Sequence, residues 1–164
     1  MRLFIAIPLN DAMRRAVASV QDGFRRQGVK GNFTPVENLH LTLAFIGEYP
    51  DPGAVLEVLD SVPLQPFTLE LDGIGAFGDL WWIGLSRSAA LNAYVARLRR
   101  ALAEAGIPFD RKRFSPHITL VRRAVGVGRD AAARPPRASM EVSHVALMRS
   151  DRGRNGMIYT EIEG

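Results

Sequence analysis

Apolar and polar positions follow two rhythms along this chain, a period of two in some short stretches and a period near 3.6 in others, and the two take turns. Leu3 to Ile7 is an apolar run closed by Pro8, which predicts a first strand. Behind it Met13, Val17, Val20 and Phe24 recur at helical spacing, with Asn10 suited to cap the helix start and Gly28 placed for a left-handed end. A short irregular piece containing Pro35 leads to a strand through His40 that ends at Gly47. Asp51-Pro52 opens a short helix through Val55, Leu56, Leu59 and Val62, before Pro63. Strands are predicted at Phe67–Leu71 and Trp81–Leu85. Ser88 then caps a helix marked by Leu91, Val95, Leu98 and Leu102, ending at Gly106. A strand through His117 follows, then a mobile loop from Gly126 to Pro136, one strand from Met140 to Met148 and a last from Met157 to Ile162.

Two of these strands echo each other. Asn38-Leu39-His40-Leu41-Thr42-Leu43-Ala44 and Phe114-Ser115-Pro116-His117-Ile118-Thr119-Leu120-Val121 share the core His, apolar, Thr, Leu. Alternation puts His40 and Thr42 on one face with Leu39, Leu41, Leu43 and Phe45 on the other; His117 and Thr119 likewise stand together, with Ile118 and Leu120 behind. The elements upstream repeat too: Leu3 and Trp81, and Gly28 and Gly106, are 78 residues apart, while His40 and His117 are 77 apart. Strand, helix, glycine and His-x-Thr strand therefore recur in one order. Two such units about a pseudo-twofold axis would set the two His-Thr faces opposite each other across a groove.

Gly73-Ile74-Gly75-Ala76-Phe77-Gly78 formally matches a dinucleotide-binding fingerprint. That fingerprint needs a helix immediately afterwards, and Leu80-Trp81-Trp82-Ile83-Gly84-Leu85 is a strand pattern, so these glycines read as turn and bulge residues.

Composition narrows the chemistry. With 164 residues, 47% apolar and 23% charged, the chain reads as one soluble domain. The net charge of +4 permits an anionic partner. The absence of Cys excludes disulfides, thiolate metal sites and Cys nucleophiles. The apolar run at Leu3–Ile7 is too short for a signal peptide or membrane span, so a cytoplasmic location is expected. The third His, His144, has no counterpart and reads as structural. Without further His and without carboxylates at ligand spacing, no metal site is expected. Two imidazoles facing one another suit displacement at phosphorus, one taking a proton from the nucleophile and one giving a proton to the leaving oxygen, while hydroxyls bind the non-bridging oxygens.

With Arg2-Leu3-Phe4-Ile5-Ala6 and Glu37–Glu48 beside them, the two motifs resemble the paired His-x-Thr-x signatures of the two-histidine phosphoesterase superfamily. The resemblance is closest to its RNA 2′,3′-cyclic phosphodiesterase (2′–5′ RNA ligase-like) branch. It implies an α+β bilobal fold across residues 1–164, a single domain of two pseudo-symmetric lobes, with two antiparallel sheets lining a central cleft and helices outside. It implies metal-independent, cofactor-free opening of a terminal 2′,3′-cyclic phosphate to a 2′-phosphomonoester, His40 as proton donor and His117 as proton acceptor. Thr42, Thr119 and Arg122 would bind the phosphate. The partner would be RNA with a cyclic phosphate end, tRNA fragments among the candidates, or a cyclic nucleotide, with no membrane and a monomeric protein. Another cyclic phosphate or a 2′–5′ linkage as substrate, and a non-catalytic RNA or nucleotide binder, stay open as alternatives.

Strict alternation from His117 points Arg123, not Arg122, into the cleft, and a bulge would reconcile the two. Phe33, Phe109 and Phe114 are candidates for base stacking. Finally, Arg111, Lys112, Arg113, Arg122 and Arg123 lie near His117 in sequence and Glu37 and Glu48 near His40, which predicts the higher pKa for His40.

Overall fold

A computed structural model describes the chain apart from residues 129–133, so the middle of the predicted Gly126–Pro136 loop lies outside the described residues. The elements run β1 (Arg2–Pro8), α1 (Asp11–Arg26), β2 (Lys30–Phe33), a 3-10 turn (Val36–Asn38), β3 (His40–Glu48), α2 (Pro52–Ser61), β4 (Phe67–Phe77), β5 (Leu80–Leu85), α3 (Ala89–Glu104), β6 (His117–Val125), β7 (Ser139–Val142), β8 (Ala146–Gly153) and β9 (Gly156–Ile162).

All three helix starts follow their caps. Asn10 accepts from the Met13 amide at 2.8 Å, Asp51 from Ala54 at 3.2 Å and Ser88 from Leu91 at 3.1 Å. Each such bond satisfies an otherwise orphan amide and is worth about 1 kcal/mol. Helices α1 and α3 are both 16 residues long, and Gly28 (φ +85°) and Gly106 (φ +74°) turn the chain just past their ends.

Two antiparallel sheets result, one ordered β3-β1-β8-β9 and the other β2-β6-β5-β4-β7. The halves of the chain do not map one to one onto these sheets. After β1 enters the four-stranded sheet, α1 crosses to pack on β6 and β2 joins the five-stranded sheet beside it; α3, following β5, packs back against β3 and α2. Each half thus lends its helix to the other half's His strand. Asp110, just after α3, donates its amide to Phe45 O of β3 at 2.8 Å, the mirror of β2 on β6.

Three sequence expectations change. Lys30–Phe33, expected to be irregular, is a strand because β6 supplies its pairing; its own side chains carry no alternation. Met140–Met148, expected as one strand, splits at residues 143–145: β7 pairs with β4 in one sheet and β8 with β1 in the other. Strand β4 runs on through the glycine stretch to Phe77. There Gly78, at φ +62°, makes the hairpin turn, and Gly75 lies where an added Cβ would come within 2.5 Å of the Trp82 ring. The glycines serve a hairpin and a close approach, not a nucleotide loop.

The apolar faces of both sheets meet one continuous cluster with the helices. Leu41 and Leu43 of β3, Ile118 and Leu120 of β6, and Leu98 of α3 are fully buried. Burying each contributes about 1.5–3 kcal/mol. A one-residue slip would expose all the buried positions of a strand at once, so this face fixes the register that holds His40 and His117 outward.

Candidate active site

The outward faces of β3 and β6 border one cleft of about 690 Å³, into which His40, Thr42, His117 and Thr119 all project. Around them stand five cationic side chains, Arg2, Arg99, Lys112, Arg113 and Arg122, against the carboxylate of Asp110. The wall is built to hold an anion.

Both imidazoles are oriented in the same way. His40 Nδ1 donates to Asn38 O at 2.6 Å and His117 Nδ1 donates to Ser115 O at 2.7 Å. A carbonyl only accepts, so the proton of each neutral ring sits on Nδ1 and Nε2 keeps the lone pair. Nε2 is therefore the nitrogen that exchanges protons in both cases. Thr42 Oγ1 donates to His40 Nε2 at 2.7 Å, so this hydroxyl serves the imidazole before any ligand arrives. Among the described residues, His117 Nε2 has no such partner.

Each ring is also framed by two aromatic side chains that sequence reasoning did not single out. Phe4 (5.1 Å between centroids) and Tyr159 (5.3 Å, edge-on) enclose His40. Phe77 (5.2 Å, edge-on) and Trp82 (6.3 Å) enclose His117. The side chain of Asn38 donates to Met157 O at 2.8 Å, tying the β8–β9 hairpin that carries Tyr159 to the turn that orients His40. Of the expected stacking residues, Phe114 lines the cleft; Phe33 lies under Arg25 and Phe109 beside Arg99 and Arg111.

Register explains which arginine enters. Opposite β5, Thr119 faces Trp82 and Val121 faces Trp81, leaving Leu120 as an extra residue. Opposite β1, Thr42 faces Ala6 and Ala44 faces Ile5, leaving Leu43 extra. The same bulge follows both His-x-Thr motifs, so two buried residues come in succession and the next two positions exchange faces. Arg122 consequently lines the cleft and Arg123 does not; Arg123 takes φ +54°, the one non-glycine residue at positive φ among those described. The pseudo-equivalent of Arg122, 77 residues earlier, is Phe45, whose exposed ring also lines the cleft. The same pairing corrects the first-strand offset: Trp81 matches Ile5, 76 residues apart rather than 78.

The expected charge effect on His40 is reversed. Its pKa lies below the ordinary 6.5, chiefly because burial disfavours the imidazolium; the Asn38 hydrogen bond raises it, and Arg122 and His117 push it down. Neither Glu37 nor Glu48 acts on it, and Glu48 instead pairs with the terminal amine of Met1 at 3.2 Å. His144 stays outside the cleft, its Nε2 2.8 Å from Glu161 at the surface. Among the described residues no three His, Asp or Glu side chains converge as a metal site would require.

The family model of the 2′-5′ RNA ligase superfamily matches residues 10–154. An RNA 2′,3′-cyclic phosphodiesterase of Aeropyrum pernix is 32% identical over 158 residues, covering 87% of this chain and 90% of that protein. One from Geobacillus stearothermophilus is 31% identical over 133 residues, covering 75% of this chain but only 42% of that longer relative. The structure of E. coli LigT complexed with 3′-AMP superposes with a TM-score of 0.84 at 28% identity, covering 99% of this chain and 95% of that one. A family match spanning most of the chain, on a fold that brings two His-Thr strands to one cleft, makes this protein a member of the 2′-5′ RNA ligase superfamily.

Proposed function

We propose that this chain hydrolyses the terminal 2′,3′-cyclic phosphate of RNA to a 2′-phosphomonoester, in the cytoplasm, as a single domain and without a metal or other cofactor. The observation that carries this reading is the pair of imidazoles, each locked through Nδ1 and each presenting Nε2 to a single cationic cleft. The names of the relatives support the same substrate class.

Water attacks phosphorus while His117 Nε2 takes its proton. The bond from phosphorus to the 3′ oxygen breaks, and the proton on His40 Nε2 passes to that oxygen, leaving a 3′ hydroxyl and a 2′ phosphate. Arg122 and the Thr119 hydroxyl stabilise the negative charge on the non-bridging oxygens. Thr42 joins them once His40 is protonated and its hydroxyl no longer donates to Nε2. Because burial and Arg122 disfavour a charged His40 in the free protein, the donor must gain its proton with the substrate. The phosphodiester anion favours this by placing negative charge beside the ring.

The test is to incubate the protein, under chelation, with a short RNA ending in a 2′,3′-cyclic phosphate and to identify the product end. A 2′-phosphate is expected. A chelator-sensitive reaction restored by one metal would overturn the two-His route, and a 3′-phosphate would overturn the leaving-group assignment. A non-catalytic nucleotide binder is the second reading, supported by the 3′-AMP bound to E. coli LigT. Tight binding with an intact cyclic phosphate would select it.

A further inference from the structure

The two bulges that reset the cleft-facing positions are held by a matched pair of side chains that neither the motifs nor the family resemblance singles out. On α1, Gln21 Nε2 donates to Leu120 O, the carbonyl of the β6 bulge, at 3.0 Å, and to Thr34 O at 2.8 Å. On α3, Arg99 Nη2 donates to Leu43 O, the carbonyl of the β3 bulge, at 3.1 Å, and Nη1 donates to Lys112 O at 2.7 Å. Gln21 and Arg99 are 78 residues apart, Thr34 and Lys112 also 78, and Leu43 and Leu120 are 77. The bonding pattern therefore obeys the pseudo-symmetry although the residue types differ.

Both clamps act across the exchange of helices, each helix gripping the His strand of the other half. Both are also placed where a polar side chain needs a reason. Gln21 is 1% exposed, and Arg99 is desolvated enough to hold its pKa below the ordinary range of arginine. Leu120 O also accepts from the Thr34 amide at 3.0 Å, so Gln21 adds a second bond there and joins that carbonyl to Thr34 O. Leu43 is the extra residue of its bulge, and Arg99 bonds its carbonyl. Losing either bond inside the fold would cost free energy. A helix side chain that bonds the bulge carbonyl, together with the connecting segment, fixes how far the strand kinks. That kink decides whether the next side chains point into the cleft.

We propose that Gln21 and Arg99 are positioning residues of this site: Gln21 sets the direction of Arg122 through the Leu120 bulge, and Arg99 that of Phe45 through the Leu43 bulge. This rests on the reading of Arg122 as the phosphate-binding arginine. Neither Gln21 nor Arg99 is assigned any contact with the reacting atoms.

The experiment compares Gln21→Met, Arg122→Ala and the double variant by two measurements. In the first, kcat/KM on the cyclic-phosphate RNA should fall about 10-fold for Gln21→Met, while the double variant should be no worse than Arg122→Ala alone. In the second, NMR titration of the His40 imidazole should give a higher pKa in both single variants, because each withdraws the Arg122 charge from that ring. The titration needs no turnover. It therefore tests Gln21 even if the phosphodiesterase reading fails, whereas wild-type inactivity on the RNA would sink that reading alone. Multiplicative losses in the double variant, or a His40 pKa unmoved by Gln21→Met, would overturn the proposal. If Gln21→Met does not fold, Arg99→Lys, at a half-buried position, gives the parallel test, because it keeps the cation that lines the cleft and loses the fork that bonds both carbonyls. Its loss should not add to that of Phe45→Ala, and additive losses would overturn the proposal there.

Discussion

The two histidine sites are built to one plan and tuned differently. Both rings are tied at Nδ1 to the carbonyl two residues before, both are flanked by two aromatic side chains, and both strands bulge after the Thr. Yet His40 is the more deeply enclosed: Thr42 occupies its Nε2 and burial lowers its pKa, while the Nε2 of His117 has no partner among the described residues. At the position after the bulge, the His117 strand offers a cation, Arg122, and the His40 strand an aromatic ring, Phe45. A repeated scaffold supplies two equivalently oriented imidazoles, and departures from the repeat give them different surroundings.

The largest effect should come from removing either ring. His40→Ala and His117→Ala should each cut turnover about 10²-fold or more while leaving the protein folded, as measured by single-turnover kinetics and circular dichroism. A loss of only a few-fold in either would remove that ring from the chemistry. The arginines give a sharper contrast next. Arg122→Ala should lower kcat/KM by about 10–10²-fold, the scale of losing one charged anion contact, and Arg123→Ala should stay within about 2-fold of the parent protein. Equal losses would mean that the bulge does not select between them.

Proton linkage separates the two sites further. An unfolded His40 binds a proton near 6.5, and the folded one only at lower pH, so acidification below about 6.5 favours the unfolded chain. Urea midpoints should fall between pH 7.5 and pH 5, and His40→Gln should lessen that fall; an identical slope in both would deny the burial effect. The smallest change belongs to His144→Ala. Its contact with Glu161 is at the surface, so stability should shift by no more than about 0.5 kcal/mol, with activity unchanged.

Much of the site was legible because it is local. Two-residue alternation put His40 beside Thr42 and His117 beside Thr119, and single residues such as Asn10, Asp51 and Ser88 marked the helix starts. What was not legible depends on distant partners. Lys30–Phe33 becomes a strand only through β6, and the Met140–Met148 stretch divides because its two ends pair with different sheets. The sign of the His40 shift failed for the same reason: charges near in sequence are not the ones near in space, and burial outweighs them. The rings beside the imidazoles depend on pairing in the same way: Trp82 lies opposite Thr119 and Phe4 opposite Phe45, and at the observed 76-residue offset Trp82 matches Ala6, so the repeat alone does not place either ring.

The central claim is the division of labour, His40 giving a proton to the leaving 3′ oxygen and His117 taking one from water. It is tested most directly by a cyclic phosphate whose 3′ oxygen is replaced by sulfur. A thiolate leaves without protonation, the thiol pKa being about 8.5, as in free cysteine, and so far below that of an alcohol. Turnover of this substrate by His40→Ala should recover to within about 10-fold of the parent protein, while His117→Ala should remain defective by about 10²-fold. Recovery in His117→Ala instead would reverse the two roles, and recovery in neither would contradict acid catalysis by either ring.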